Sequence, residues 1–328
     1  MTHPPPRILS GVQPSGKLHL GNYFGAIRQH IALQDEGECF FFIADYHALT
    51  TIQDPRQLSE NVRGVALDYL ALGLDPARTA FFRQSDVPEV TELAWILSTV
   101  TGMGLIERAH SYKDKLARGI APTAGLFNYP VLMAADILIY RSNLVPVGQD
   151  QVQHIEMTRD MAGDFNQTYS PVFPLPDARL DRAPTVPGTD GKKMSKSYGN
   201  TIEIFAEGKA LKDSVMGIVT DSTPVEAPKE PENVFALYSL FATDAEREIL
   251  AARYRAGGMG YGEAKKLLVE KIDSHFAQAR AQRKELEKHP DTVEAALRRG
   301  AEKAGAEAKE TMRLVREATG LRSKGDLR

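Results

Sequence analysis

The sequence contains a single cysteine, no long apolar run and almost no net charge. Cys39 is the only cysteine among 328 residues, which excludes an intramolecular disulfide and a zinc site built from several thiolates. No run of about 18 apolar residues occurs, and segment 1–6 lacks the apolar core of a secretory signal. These absences predict a cytosolic protein without a membrane span, in which Cys39 is a small buried thiol.

The net charge of −3 also excludes a strong overall attraction to nucleic acid. Any contact with RNA would have to come from local basic patches. Hydrophobic residues make up 42% and charged residues 25% of the chain, as in ordinary globular proteins. A chain of this length exceeds the usual size of one hydrophobic core and therefore predicts two domains.

Short apolar runs alternate with segments of helical periodicity in the first half of the chain. Near-continuous apolar strands followed by helices are typical of a parallel sheet that is buried on both faces. The pattern predicts an α/β domain with a Rossmann-like, doubly wound parallel sheet. The predicted strands are 7–12, 39–44, 79–83 and 144–147, and the predicted helices are 20–33, 58–72, 90–100, 130–140 and 151–163.

The pattern changes after the first 200 residues. From about residue 205 the chain has helical periodicity and almost no strand signal, with a proline-rich loop at 222–231. Long amphipathic helices are predicted at 263–288 and 291–319. The simplest division is a catalytic domain 1–204 and a helical domain 205–328, whose last helix packs back on the catalytic domain.

The glycine-rich segment 11–23 directly follows the first predicted strand and opens the first helix. Ligands of α/β sheets bind at this position, and a helix N-terminus favours phosphate. His19 and Asn22 are three residues apart and share one face of the first turn, where both can donate hydrogen bonds to phosphate. The alternative is an ordinary strand-to-helix turn, because the spacing is not that of a Walker loop.

The lysine segment 192–197 follows a glycine-flanked loop. Lys193 and Lys196 form a cationic pair that can close on a triphosphate and neutralise the charge that develops on departing pyrophosphate. The alternative is a solvated surface loop.

Together the two segments resemble the paired signatures of class I aminoacyl-tRNA synthetases. Residues 193–197 match Lys-Met-Ser-Lys-Ser letter for letter, whereas His-Ile-Gly-His departs at Leu20 and at Asn22. The asparagine variant is similar to the tryptophanyl branch, which carries Gly-x-Gln-Pro-Ser-Gly followed by Gly-Asn-Tyr. The resemblance extends over essentially the whole chain. It implies activation of tryptophan by ATP, with Mg²⁺ carried on the ATP, and transfer of the amino acid to tRNA(Trp).

The resemblance also implies a nucleotide site. His19, Asn22, Lys193 and Lys196 would stabilise the transition state, and Gln149 stands where the family usually has glutamate. Lys115 belongs to a segment whose final lysine reaches the phosphates, and Val186 falls where a backbone contact to adenine is expected. The full set of ATP-binding residues is Gln13, Pro14, Ser15, Gly21, Asn22, Lys115, Gly148, Gln149, Asp150, Val186, Lys193, Met194, Ser195, Lys196 and Ser197.

The segment 129–138 resembles the helix that lines the amino-acid pocket in this branch. Pro130 suits the first helical position, which would bring Tyr129, Met133 and Asp136 close to one face. Asp136 can accept the indole N–H hydrogen bond, although a structural role for this carboxylate is the alternative. The other predicted tryptophan contacts are Gln13, Gln151 and His47, of which His47 could equally be a core histidine.

Two rival functions are consistent with parts of the pattern. A tyrosyl-tRNA synthetase can carry a similar glycine-rich turn, but a phenol needs both donor and acceptor partners. A non-catalytic RNA-binding relative would have degraded signature segments, and both are intact here. Members of the family of this size imply a homodimer, and the helical domain would read the anticodon. Candidate RNA contacts are Arg253, Arg255, Lys265 and Lys266.

No metal site of the protein's own and no catalytic triad is predicted. The histidines without ligand-like partners are interpreted as structural or surface residues: His30, His110, His154 and His275.

Overall fold

The computed structural model describes residues 5–109, 119, 123–180, 185–230 and 232–321, apart from the side chain of Asp150. Its five strands form one parallel sheet in the order β3-β2-β1-β4-β5. The predicted α/β class with a doubly wound sheet is therefore confirmed. The strands are β1 (Arg7–Val12), β2 (Glu38–Ile43), β3 (Ala80–Arg83), β4 (Leu144–Val147) and β5 (Asp177–Leu180).

Side chains of the central strands alternate between two apolar layers. Along β2, Cys39 and Phe41 enter one layer, while Phe40 and Phe42 enter the other. This alternation follows from the two-residue period of a strand. Cys39 is a buried free thiol, and burial raises its pKa to about 11.

Helices cover both faces of the sheet in the first two thirds of the chain. The predicted helix 20–33 contains a π-helical turn at Tyr23–Ile27, directly after the glycine-rich segment. Such turns are frequent at functional sites. The helices are α1 (Leu20–Asn22), α2 (Arg28–Leu33), α3 (Asp45–Ala48), α4 (Pro55–Ala71), α5 (Glu89–Ser98), α6 (Met103–Glu107), α7 (Ala124–Ile139) and α8 (Val152–Thr168).

In this region one sequence prediction is wrong and one strand was missed. Pro130 does not begin a helix, because α7 starts six residues earlier, where the side chain of Thr123 accepts the N–H of Leu126. Pro130 is tolerated inside α7, where it is buried. Strand β5 was not predicted, since it is mostly exposed at the edge of the sheet and carries no apolar alternation.

The last third of the described chain is helical. Residues of these helices join the same apolar layer as β2 and α4, so they pack directly on the sheet domain. Lys265 is wrong as a candidate RNA contact, because its buried ammonium donates to the carbonyls of Met216 and Ile218. The helices are α9 (Gly208–Met216), α10 (Asn233–Ser239), α11 (Asp244–Ala256), α12 (Tyr261–Lys288) and α13 (Pro290–Thr319).

The helix α13 lies against the edge strand β3. A Cβ atom at Gly300 would come within 2.0 Å of the carbonyl oxygen of Phe81, so only glycine permits this approach. An ion pair between Arg83 on β3 and Glu294 on α13 adds to the contact. A helix that covers an edge strand removes a surface on which other chains could pair. Among the described residues, no helix has the length and apolar character that crossing a membrane requires.

A buried histidine links β1 to α4. The ring nitrogens of His30 lie 2.9 Å from Ser10 Oγ and 3.1 Å from Tyr69 Oη. Burial lowers the pKa of His30 from 6.5 to about 4. The ring is therefore neutral in the folded protein at neutral pH.

We expect His30 to make folding sensitive to mild acid. Between pH 6.5 and pH 4 the unfolded chain binds a proton at His30 and the folded chain does not. The free energy of unfolding should therefore fall by about 3 kcal/mol over this interval through His30 alone. In urea unfolding measured at both pH values, His30→Phe should show a smaller loss than the parent. The control His289→Gln, at an exposed histidine, should retain the full loss; equal losses in His30→Phe and the parent would contradict this role.

Candidate active site

A cavity of about 430 Å³ opens at the carboxyl ends of the strands. It lies where the order of the strands reverses, between β1 and β4, which is the usual ligand position in an open α/β sheet. These two strands pair only at Ile8 and Leu144, so a crevice forms beyond that point. Predicted site residues that line the cavity are Gln13, His47, Tyr129, Met133, Asp136, Gly148 and Gln151.

A buried carboxylate forms part of the cavity wall. Asp136 is 2% exposed, and its Oδ2 lies 2.9 Å from His47 Nε2. Burial raises the pKa of Asp136, while the hydrogen bonds from His47 and Gln84 oppose that rise. The remaining lining is largely apolar, with Phe42, Ile137 and Val145 among its residues.

His154 and Gln84 lie behind this wall and hold two of its residues, although the sequence interpretation assigned neither to the site. His154 Nε2 lies 2.6 Å from the hydroxyl of Tyr129, and the two rings meet edge to face. Gln84 Nε2 lies 2.8 Å and 2.9 Å from the two oxygens of Asp136. The sequence did contain one signal for Gln84. Because this residue directly follows β3, it must lie at the carboxyl edge of the sheet, where the cavity opens.

The glycine-rich segment presents His19 and Asn22 at the start of α1. Asn22 Oδ1 accepts the backbone N–H of His19 at 3.0 Å. Because that N–H can only donate, the amide group of Asn22 must turn its NH₂ outward as a donor. Burial, followed by the charge of Lys196, lowers the pKa of His19 to about 4. His19 is thus a neutral imidazole at neutral pH.

The lysine segment contacts the glycine-rich segment directly. Lys196 Nζ donates to the carbonyl oxygen of Ser15 at 3.0 Å and approaches Ser15 Oγ at 3.3 Å. The N–H of Gly21 donates to the sulfur of Met194 at 3.4 Å. A Cβ at Gly21 would lie 2.9 Å from His19 Nδ1, so the glycine permits this close packing.

Asn200 holds the lysine segment in shape. Its Oδ1 accepts the N–H of Ser195 at 2.8 Å, and its Nδ2 donates to the carbonyl oxygen of Lys193 at 3.1 Å. Asn200 is buried, and a Cβ at Gly188 would lie 2.3 Å from its amide. Its Nδ2 also donates to the carboxylate of Asp190 at 2.7 Å. The sequence interpretation did not identify this asparagine, because no motif records these contacts.

Residues 1–277 match the family described as tRNA synthetases class I (W and Y). The tryptophan–tRNA ligase of Rhodopirellula baltica is 56% identical over 96% of this chain and 100% of its own length. That of Fusobacterium nucleatum is 54% identical over 96% and 98%. This chain belongs to the class I tRNA synthetase family, in its tryptophanyl branch.

The structural comparison agrees. The crystal structure of the Campylobacter jejuni tryptophanyl-tRNA synthetase, complexed with ADP and tryptophan, superimposes with a TM-score of 0.92 at 49% identity. The alignment covers 96% of this chain and 100% of that chain. The class I synthetase family and tryptophanyl branch that the sequence predicted are thereby confirmed.

The other predicted site residues differ in where they lie, and some are outside the described part of the chain. Gln149 and Gln151 form a short 3₁₀ turn after β4, and the side chain of Asp150 and all of Lys115 lie outside the described part. Val186 is buried, and its carbonyl oxygen accepts the N–H of Met194 at 2.9 Å. Pro14 is buried beside the exposed Ser15, and Ser195 Oγ lies 2.9 Å from Ser197 Oγ.

The side chain of Lys193 is exposed, and its ammonium contacts no acceptor among the described residues. The structure therefore brings one of the two predicted lysines onto the glycine-rich segment and leaves the other in solvent. Within the described ranges, no three histidine, cysteine, aspartate or glutamate side chains group as metal ligands.

Proposed function

We propose that this chain activates L-tryptophan with ATP and transfers it to the 3′-terminal ribose of tRNA(Trp). One observation carries the proposal: a largely apolar cavity with a single buried carboxylate opens beside the joined glycine-rich and lysine segments. The Campylobacter jejuni relative, which binds ADP and tryptophan, supports the same two ligands here. Such a reaction serves protein synthesis, for which we propose the cytoplasm as the compartment.

The reaction needs positioning and charge stabilisation more than a covalent nucleophile. The carboxylate of tryptophan attacks the α-phosphorus of ATP in line, which forms the tryptophanyl-adenylate and releases pyrophosphate. A ribose hydroxyl of the tRNA then attacks the adenylate carbonyl carbon and displaces AMP. Mg²⁺ enters with ATP, because it binds phosphate and water oxygens and needs few protein carboxylates.

The phosphates are bound at the junction of the two segments. Neutral His19 and the outward NH₂ of Asn22 donate hydrogen bonds, and Lys196 supplies positive charge. Lys196 already reaches Ser15, so a short shift of its ammonium suffices to meet a phosphate beside the same backbone. Lys193, whose ammonium is exposed, supplies a second charge when the triphosphate binds. Gln13, Gly148, Gln149, Asp150, Val186 and Lys115 complete the proposed nucleotide site.

We expect Lys196→Ala and Lys193→Ala to impair chemistry rather than tryptophan binding. Losing one preorganised charge contact should slow adenylate formation by about 100- to 1000-fold, while the Kd for tryptophan stays within about threefold. Single-turnover adenylate formation and tryptophan titration measure the two effects. The matched control is Lys212→Ala, at an exposed lysine on α9, which should leave both unchanged. Rates within about tenfold of the parent in both variants would refute the phosphate role.

The side chain of tryptophan is recognised inside the cavity. Its indole N–H is a lone donor, and Asp136 is the buried acceptor that faces it. Tyr129 and Met133 supply aromatic and thioether surface, and Gln151 and His47 line the same space. Tryptophan is favoured over the tyrosyl alternative because the relatives that are 54–56% identical are tryptophan–tRNA ligases.

We expect Asp136→Ala to weaken tryptophan binding by about 2–3 kcal/mol, the usual value of a hydrogen bond to a charged group. ATP binding should survive, because the phosphate contacts lie on other segments. Pyrophosphate exchange measured with all twenty amino acids should depend on tryptophan in the parent and lose this selectivity in the variant. Met312→Ala, at a buried methionine on α13 outside the cavity lining, controls for lost stability. A folded Asp136→Ala that still rejects tyrosine and phenylalanine would rule out this role.

We propose that residues 1–204 form the catalytic domain and residues 205–328 the helical domain that contacts the anticodon. Arg255 and Lys266 are exposed and remain candidates for contact with RNA. Arg253 is also exposed, but Glu263 already pairs with it at 2.5 Å. A contact with RNA at Arg253 would therefore have to break an ion pair.

We also propose a homodimer, formed through the surface of α5 and α6. Trp95, the sole tryptophan, is 73% exposed on α5, and Met103 is 61% exposed at the start of α6. Large apolar side chains that stand this far into solvent on consecutive helices are typical of protein interfaces.

We expect Trp95→Lys to dissociate the dimer, because it places a charge where an apolar contact should form. Sedimentation analysis should give the mass of two chains for the parent and of one chain for the variant. The control Ile249→Lys replaces an apolar residue that is 62% exposed on α11 and should leave the mass unchanged. A parent that sediments as a single chain at micromolar concentration would contradict the proposal.

A further inference from the structure

Gln84 lies behind the cavity wall, and both the oxygen and the NH₂ of its side-chain amide form hydrogen bonds. It opens the short turn Gln84–Asp86 after β3 and is 2% exposed. Its Oε1 accepts the backbone N–H groups of Tyr46 at 3.1 Å and His47 at 3.4 Å. Its Nε2 donates to both oxygens of Asp136.

The orientation of this amide is fixed by its partners. The two backbone N–H groups can only donate, so the oxygen of Gln84 must face them and the NH₂ must face Asp136. His47 Nε2 contacts the same carboxylate at 2.9 Å and donates to it when the carboxylate is ionised. Both side chains that contact Asp136 are thus arranged as donors.

We propose that Gln84 is a positioning residue for amino-acid specificity, which keeps Asp136 an acceptor-only group aimed at the cavity. The inference rests on the proposed role of Asp136 in binding the indole N–H. A carboxylate that receives hydrogen bonds from Gln84 and His47 has oxygen lone pairs left for one more donor. If Asp136 were protonated instead, it would present an O–H that indole cannot accept.

This arrangement explains discrimination between tryptophan and phenylalanine. Tryptophan brings one N–H donor, which an acceptor-only carboxylate satisfies. Phenylalanine brings no donor and would leave the buried carboxylate without its third partner, which costs binding energy. Gln84 touches no substrate in this scheme and acts through the geometry and charge state of Asp136.

Few other charges face Asp136. The carboxylate of Asp45, on α3, opposes ionisation of Asp136, and His47 on the same helix favours it. Asp45 is itself engaged by the N–H of Ser85 at 3.0 Å. The phenol of Tyr140, at the end of α7, has its pKa raised well above 10 by burial and by the charge of Asp136, so it stays neutral. The charge state of Asp136 therefore depends first on its burial, which raises its pKa, and then on His47, Gln84 and Asp45.

Two substitutions separate the proposed role from a merely structural one. Gln84→Met removes both donated hydrogen bonds at similar volume, and the KM for tryptophan should rise about 10- to 100-fold at every pH. The KM for ATP and kcat should stay within about threefold, because the phosphate contacts are untouched. Gln84→Glu keeps the shape and can donate to Asp136 only while it holds a proton.

The pH dependence gives the sharper test. Two adjacent carboxylates share one proton at low pH and repel each other once it is lost. Relative to the parent at each pH, the KM for tryptophan in Gln84→Glu should lie within about threefold at pH 6 and rise at least about tenfold by pH 9. Gln34→Met, at a half-buried glutamine that caps the turn at Asp75, is the matched control and should change stability alone.

The outcomes are distinguishable. A folded Gln84→Met with an unchanged KM for tryptophan, or a Gln84→Glu ratio that does not vary with pH, would overturn the role of Gln84. Equal rises in the KM for tryptophan and for ATP would also overturn it, because they indicate general disruption. If the parent itself shows no tryptophan-dependent exchange, the proposed function fails instead. If Asp136→Ala keeps its selectivity, the proposed pocket fails.

Discussion

A charged group buried in an apolar cavity constrains much of this molecule. A carboxylate removed from water is costly unless hydrogen bonds replace its hydration. Asp136 meets this requirement with His47 and Gln84, which stand at the ends of β2 and β3. The side chain of Gln84 in turn accepts the N–H groups that begin α3. One carboxylate therefore ties a helix on one face of the sheet to the carboxyl ends of two strands.

The nucleotide side of the cavity depends on pairing between distant parts of the chain. Residues 18–20 and 202–204 form a short antiparallel contact through the N–H of Leu20 and the N–H of Ile204. The lysine segment ends at residue 197, and four residues separate it from this contact, which therefore brings it to the glycine-rich segment. Arg280 on α12 donates to the carbonyl oxygen of Ile204 at 3.2 Å. The helical region thus braces the segment that carries Lys196.

The same helical region completes the core. Phe276 on α12 lies in the apolar layer of β2, while Met312 on α13 lies in the opposite layer. The close approach of Gly300 to β3 lets α13 reach both. Helices from the end of the chain thus contribute side chains to both apolar layers. The predicted boundary at residue 204 therefore separates two regions that differ in composition but pack directly against each other.

The sequence by itself determined the class of fold, the strands β1 to β4 and the two segments that identify the family. These features depend on local period and on residue types at fixed spacing, which the chain displays directly. It also predicted a role for Asp136, because a carboxylate among alanine, isoleucine and leucine stands out in any helix, and that role stays a prediction. Only the tertiary structure decided that Gln84, His154 and Asn200 belong to the site, that Lys265 is buried, that β5 completes the sheet and that α7 begins before Pro130. Gln84, Lys265 and β5 depend on partners far away in the chain, which local patterns cannot reveal. The start of α7 and the role of Asn200 depend on near neighbours, but the cap at Thr123 and the backbone partners of Asn200 match no motif.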